Sequence, residues 1–163
     1  MTVPLFSHIV RDSIMKVFKP VMSVVLQEVP GHISLGFMAA GCPHGCHGCS
    51  YKTLKETHEL GMDEFLGILS YNSGLASAVL FMGGEWSPDI IPLLDAAKGM
   101  GYATCLYTGK EFNDLPDSIR SRLDFCKTGR WEGRSLRDKD TNQRFIRVAD
   151  GQDLTARFRK TAS

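Results

Sequence analysis

With 163 residues, 43% of them hydrophobic, and no Gly/Ser/Pro-rich stretch to divide it, the chain is expected to form one domain over 1–163 around one core. Nineteen basic residues against eighteen acidic leave a formal charge of +1, which gives no reason to expect nucleic acid or an anionic membrane surface as a partner. The opening MTVPLFSHIVRDSIMKVFKP breaks its apolar residues with His8, Arg11, Asp12 and Lys16, so it has no signal-peptide core, and no later run is long enough to cross a bilayer. A soluble cytoplasmic protein is the expectation.

In chain order, VMSVVLQ reads as a strand, EVPGH as a break, and ISLGFMAAG as a second strand that stops at the first cysteine. Met62, Phe65, Leu66, Ile68 and Leu69 share a helical face between Met62 and Tyr71, and NSG stops the helix. ASAVLFMGG is a continuous apolar run of the kind buried on both faces of a sheet. SPDIIPLLDAAKGMG reads as a helix capped by Ser87, with a proline at its first position and glycines at its end. YATCLYTG, LPDSIRSRL and LDFCKTG follow as strand, short helix and strand; the more basic tail from Arg120 reads as solvated surface. Alternating strands and helices predict an α/β fold with a mainly parallel sheet, either open or curled into part of a barrel, because a complete eight-unit barrel needs more chain. Ligands of such folds sit at the carboxyl ends of the strands. The segments following ISLGFMAA, SAVLFM and YATCLY should therefore meet on one rim.

Three of the five cysteines, Cys42, Cys46 and Cys49, fall in the first of those segments with the spacing C-x3-C-x2-C. In a reducing compartment such a cluster reads as a metal or redox site. Thiolates bind zinc or the irons of an iron–sulfur cluster. Zinc wants a fourth ligand, which His44, His47 or His58 can supply; a cubane 4Fe-4S cluster on three thiolates keeps one iron open for a ligand. Pro43, Gly45 and Gly48 speak against a helical cysteine stripe and for a loop folded tightly around an inorganic body. Cys105 and Cys126 read as small buried hydrophobes, and His58 as a structural residue.

C-x3-C-x2-C after a core strand, followed by GGEW (Gly83 to Trp86) after the next, resembles the signature of the radical S-adenosylmethionine (SAM) enzymes. The short chain, the PG before the first core strand, YTGKEFNDL, KTGRW and TNQRF narrow the resemblance to the activating proteins of anaerobic (class III) ribonucleotide reductase, over roughly Val29 to Arg147. Residues 1–20 match less and read as an N-terminal extension. Ser50 and Trp86 depart from the family pattern, which has an aromatic residue and often a proline there.

The resemblance implies a partial, open (β/α) barrel of the radical SAM type. It implies Cys42, Cys46 and Cys49 as ligands of a 4Fe-4S cluster whose open iron takes the amino and carboxylate groups of SAM. It further implies that Gly83, Gly84 and Glu85 face the methionine moiety, that Gly48 and Ser50 line the adenosine side, and that Thr108 hydrogen-bonds the cofactor. The activity implied is one-electron cleavage of SAM and formation of a glycyl radical on the large subunit of the reductase, with a flavodoxin- or ferredoxin-type electron donor. A formate-lyase type target, a small-molecule substrate, and a zinc-stabilised binding module are the other readings that the residues allow.

Overall fold

The computed structural model describes residues 14–43 and 56–159. In chain order these form β1 (Ile14–Phe18), β2 (Ser23–Val25), β3 (Ser34–Met38), β4 (Thr57–Gly61), α1 (Met62–Tyr71), β5 (Ala78–Met82), α2 (Ile90–Gly99), β6 (Ala103–Tyr107), α3 (Asp117–Arg120), β7 (Phe125–Thr128), β8 (Arg144–Arg147) and β9 (Gln152–Asp153). Short 3-10 turns lie at Phe112–Asp114 and Thr155–Phe158.

The main sheet runs β2-β3-β5-β6-β7-β8-β9. Its centre, β3, β5, β6 and β7, is parallel, with Ser34 level with Ala78 and Ala78 with Ala103. The edges are antiparallel, β2 on β3 and β8 and β9 beyond β7. The expected α/β class and parallel centre are therefore present, and the sheet is mixed and open rather than closed. The stretch read as VMSVVLQ keeps only three residues of strand.

The four parallel strands stand side by side in the order in which the chain makes them, with no reversal. Accordingly all three helices cover one face. Phe65 and Leu69 of α1, Ile90, Leu93, Leu94 and Ala97 of α2 and Ile119 of α3 join Phe37, Val79, Phe81 and Leu106 of the strands in one core. Phe37, Phe65 and Phe81 lie together at centroid distances of 5.2 to 6.0 Å, within the range favoured by aromatic pairs. The opposite face is covered by chain that carries no α-helix: Val29, Leu136, Phe145 and Leu154 close over Leu80 and Cys105.

The helix expected from Ser87 begins at Ile90 instead. Ser87 Oγ accepts the N–H of Asp89 at 3.3 Å in the turn ahead of it, and Asp89 occupies the cap position. The residues from Ile14 belong to the domain proper. β1 pairs antiparallel with β4, Ile14 opposite Gly61 and Phe18 opposite Thr57, and it buries Met15 and Val17 in the helix-side core. Its far side touches the end of β3, where Val17 bridges Ala39 and the N–H of Ala40 donates to Lys16 O at 2.9 Å.

Candidate functional site

The parallel centre aims β3, β5, β6 and β7 at a common rim, and backbone bonds continue past the strand ends. Ala39 N–H donates to Met82 O (3.0 Å), Gly83 N–H to Tyr107 O (2.8 Å), Thr108 N–H to Lys127 O (2.9 Å) and Gly129 N–H to Lys110 O (3.1 Å). The segment leading to Cys42, the Gly83–Trp86 loop, Thr108–Lys110 and Gly129–Arg130 are thereby laid next to one another in that order. The described parts of the three segments expected on one rim, 39–43, 83–86 and 108–110, do meet there.

The Gly-Gly-Glu-Trp loop is held from both sides. Trp86 donates its indole Nε1–H to Ala40 O at 3.1 Å, two residues before Cys42. On the other side Thr108 donates its hydroxyl to Glu85 Oε1 at 2.7 Å and accepts the N–H of Lys110 at 3.0 Å. Within the loop Ser87 N–H closes a turn on Gly84 O at 2.9 Å. Thr108 is almost completely buried, with 4% of its surface exposed. Because its proton goes to Glu85, it can offer a further ligand only acceptor capacity.

Both glycines have positive φ, 83° at Gly83 and 114° at Gly84, a region in which other residues are strained. Their missing side chains are also taken up by neighbours. A Cβ on Gly83 would sit 2.5 Å from Cη2 of Trp86, and one on Gly84 2.4 Å from Cε of Met15 and 3.3 Å from Cβ of Ala39. The positive φ is what calls for glycine at both positions, and the neighbours add to it: the Trp86 ring at Gly83, Ala39 Cβ and the end of the Met15 side chain at Gly84.

Cys42 is half-buried on the rim. Cys46, Cys49, Gly48 and Ser50 lie outside the described residues, as do His44 and His47, and among the described residues no group of three His, Cys, Asp or Glu side chains is placed to hold a metal. Of the expected ligands the described residues thus include one thiol, Cys42, of a kind suited to a soft metal, on the same rim as the carboxylate of Glu85, held by Thr108, and the turned backbone of Gly83 and Gly84. His58 hydrogen-bonds Glu64 through Nε2 at 2.6 Å.

Cys105 and Cys126 are fully buried, on opposite faces of the sheet. Burial pushes both thiols up; that of Cys126 reaches about 12, burial acting first and the charge of Glu85 second. Both are packing residues, as expected, and Cys126 lies close enough to the rim to feel Glu85.

Two further motifs join the rim. Asn142 donates Nδ2–H to Arg130 O at 3.0 Å, and the buried Gln143 donates Nε2–H to Gly129 O at 3.3 Å. KTGRW and TNQRF thus form a clasp between β7 and β8 next to Lys110. Among the described residues no helix is long and apolar enough to cross a membrane. Family models, curated proteins and solved structures yield no significant match to this chain.

Proposed function

We propose that this chain is a radical SAM activase that generates a glycyl radical on anaerobic ribonucleotide reductase, built as a partial, open (β/α) barrel. The observation that carries the reading is the meeting of Cys42, Gly83–Gly84–Glu85 and Thr108 on one rim, with Glu85 and Thr108 2.7 Å apart, although they are spread over 67 positions of sequence. The strand order adds support. Parallel strands laid down without reversal, with the three helices of the described residues on one face, follow the winding of a barrel wall and not that of a doubly wound sheet, in which a switch point would be the ligand site.

The roles in this reading follow from the chemistry of the side chains. Cys42, with Cys46 and Cys49, holds the 4Fe-4S cluster, and Gly48 and Ser50 border the adenosine. When bound, the cluster and SAM supply one-electron cleavage of a carbon–sulfur bond and a hydrogen-abstracting radical. Glu85, held by Thr108, offers a fixed negative charge for an ammonium group, and the turn at Gly83 and Gly84 brings main chain close to it. The clasp of Gly129, Asn142 and Gln143 sets the far end of the same rim, where a glycine-bearing segment of the partner enters. A flavodoxin- or ferredoxin-type protein serves as electron donor.

Anaerobic reconstitution with iron and sulfide tests the reading. A brown protein, a paramagnetic signal on dithionite reduction and a change in that signal on adding SAM are expected. Mixing with the reductase, SAM and reductant should give a glycyl radical doublet. Tetrahedral zinc that ignores SAM would overturn the enzyme reading in favour of a binding module. SAM cleavage without the doublet would move the target to another glycyl radical enzyme or to a small molecule.

A further inference from the structure

β7 and β8 are antiparallel neighbours, which a turn of about two to five residues could join, yet residues 129–143 lie between them. None of these residues forms helix or strand, and a connection of that length inside a compact domain is uncommon unless it serves a function. Both of its ends are fixed at the rim, where Asn142 donates to Arg130 O and Gln143 to Gly129 O. Between the ends Leu136 is buried against the sheet with Phe145 and Leu154. Ser135 N–H donates to Asp138 Oδ2 at 2.6 Å, and Arg134 Nη1–H to Asp140 O at 3.0 Å. The connection is therefore a shaped surface, held along its length.

What it presents to solvent is aromatic and cationic: Trp131, Arg130, Arg134, Arg137 and Lys139 are all exposed. Arg137 bonds the neutral amide of Gln27, while two of the three carboxylates, Asp138 and Asp140, serve contacts inside the connection. The surroundings share its sign. Among the described residues, 120–159 hold eleven Lys and Arg against six Asp and Glu, whereas 56–117, with β4, α1 and α2, hold ten Asp and Glu against Lys98 and Lys110. The formal charge of +1 thus conceals a basic side that begins at the rim.

We propose that the β7–β8 connection is the docking element for the protein substrate, with Trp131 as its anchor and its cations facing an acidic surface beside the glycine of the reductase's large subunit. The inference rests on the activase reading and goes beyond it by naming the surface and the charge of what it meets. Because the connection leaves from and returns to the clasp next to Lys110, a protein held on it lies alongside the rim. That continuity selects the substrate protein over the electron donor. Tryptophan and arginine are the residues that most often carry interface energy, and opposite charges speed association in a way that salt suppresses.

Binding of the full chain to the purified large subunit, followed at low and high salt, tests the proposal, with SAM cleavage by the reconstituted chain alone measured in parallel. Trp131→Ala alters no charge and should weaken the complex about tenfold or more. Arg137→Glu combined with Lys139→Glu should slow association about tenfold at low salt and flatten its salt dependence. Both variants should cleave SAM at the rate of the unaltered chain. Undiminished affinity in Trp131→Ala, or an unchanged association rate in the double variant, overturns the docking element and leaves the radical chemistry in place. Losses confined to binding of the electron donor or of duplex DNA overturn it too. The absence of any complex with the unaltered chain overturns it together with the reductase as target. A complex weakened by both variants, in a chain that cleaves no SAM, would support the docking element and remove the activase reading.

Discussion

Gly84 and Met15 occupy one volume between them, the methionine filling the space that a side chain on the glycine would need. Gly84→Ala should therefore destabilise the fold by about 1–3 kcal/mol through backbone strain at φ 114°, with displacement of the Met15 methyl in addition. Met15→Ala should cost about 2–5 kcal/mol for the cavity that it leaves. Combined, the two should cost less than their sum by more than the roughly 0.5 kcal/mol expected of independent sites. Urea denaturation of the four chains of this cycle measures it, and strict additivity would place Met15 elsewhere. In the sequence the glycine pair stood out only through the resemblance, as backbone facing the methionine moiety; its packing partner was not legible, since no local pattern ties position 15 to position 84. The hydroxyl of Thr108 gives a similar case. Its place at the end of a strand was readable, whereas its bond to Glu85 depends on the register between β5 and β6.

Cys126 gives a pH dependence with a definite sign. Its thiol is held neutral in the folded chain up to about 12, from an ordinary value of 9.0. Below pH 9 the proton stays on in both states and stability is unaffected. Between 9 and 12 only the unfolded chain loses it, so stability falls as pH rises, by up to about 1.4 kcal/mol per pH unit from this group. Denaturation midpoints taken under reducing conditions at pH 7, 9 and 10.5 should decline more steeply for the native sequence than for Cys126→Ala. Identical slopes would mean that the thiol is not held in the core.

Among the elements, the central strands and the helices α1 and α2 were readable because each carries its own signal, a continuous apolar run or a 3.6-residue period. β1 carried a signal too. In IMKVF the residues alternate, Ile14 and Lys16 outward, Met15 and Val17 inward, which is the period of a half-buried strand. It reads as part of an extension because residues 1–20 match the family pattern less, and its partner, β4, follows only after the cysteine-bearing segment. β8 was hidden by its charges: Arg144 and Arg147 flank Phe145 and Ile146, and a basic stretch resembles solvated surface. Yet Phe145 is buried and packs on Phe125 at 5.7 Å and Phe158 at 5.0 Å. Phe145→Ala should cost about 3–5 kcal/mol, read as a lower urea midpoint. A loss below 1 kcal/mol would show that the face of the sheet away from the helices is not a packed core.

For the molecule as a whole, the alternation of strands and helices was enough to anticipate a parallel centre and the rim at its carboxyl ends. It was not enough to anticipate the antiparallel flanks, which arise from segments too short or too charged to declare themselves. The placement of site residues followed the same division. Motifs that sit directly after a parallel strand were located by the chain order, and the side-chain bonds that hold them came from tertiary packing.

β1 has one more effect on the segment that carries the cysteines. Lys16 O receives the N–H of Ala40, where that segment departs, and Lys19 N–H donates to Glu56 O at 3.0 Å, where it returns. β1 and the residue just past its end therefore pin both ends. Bringing the two ends of a chain segment together costs entropy that grows with the logarithm of its length, and for this segment the pairing around β1 meets that cost. The two ends of the segment that carries Cys42, Cys46 and Cys49 are thus set by an element that contributes no cysteine itself. On the proposed reading of the cysteines as metal ligands, loosening β1 would weaken metal binding without touching one of them.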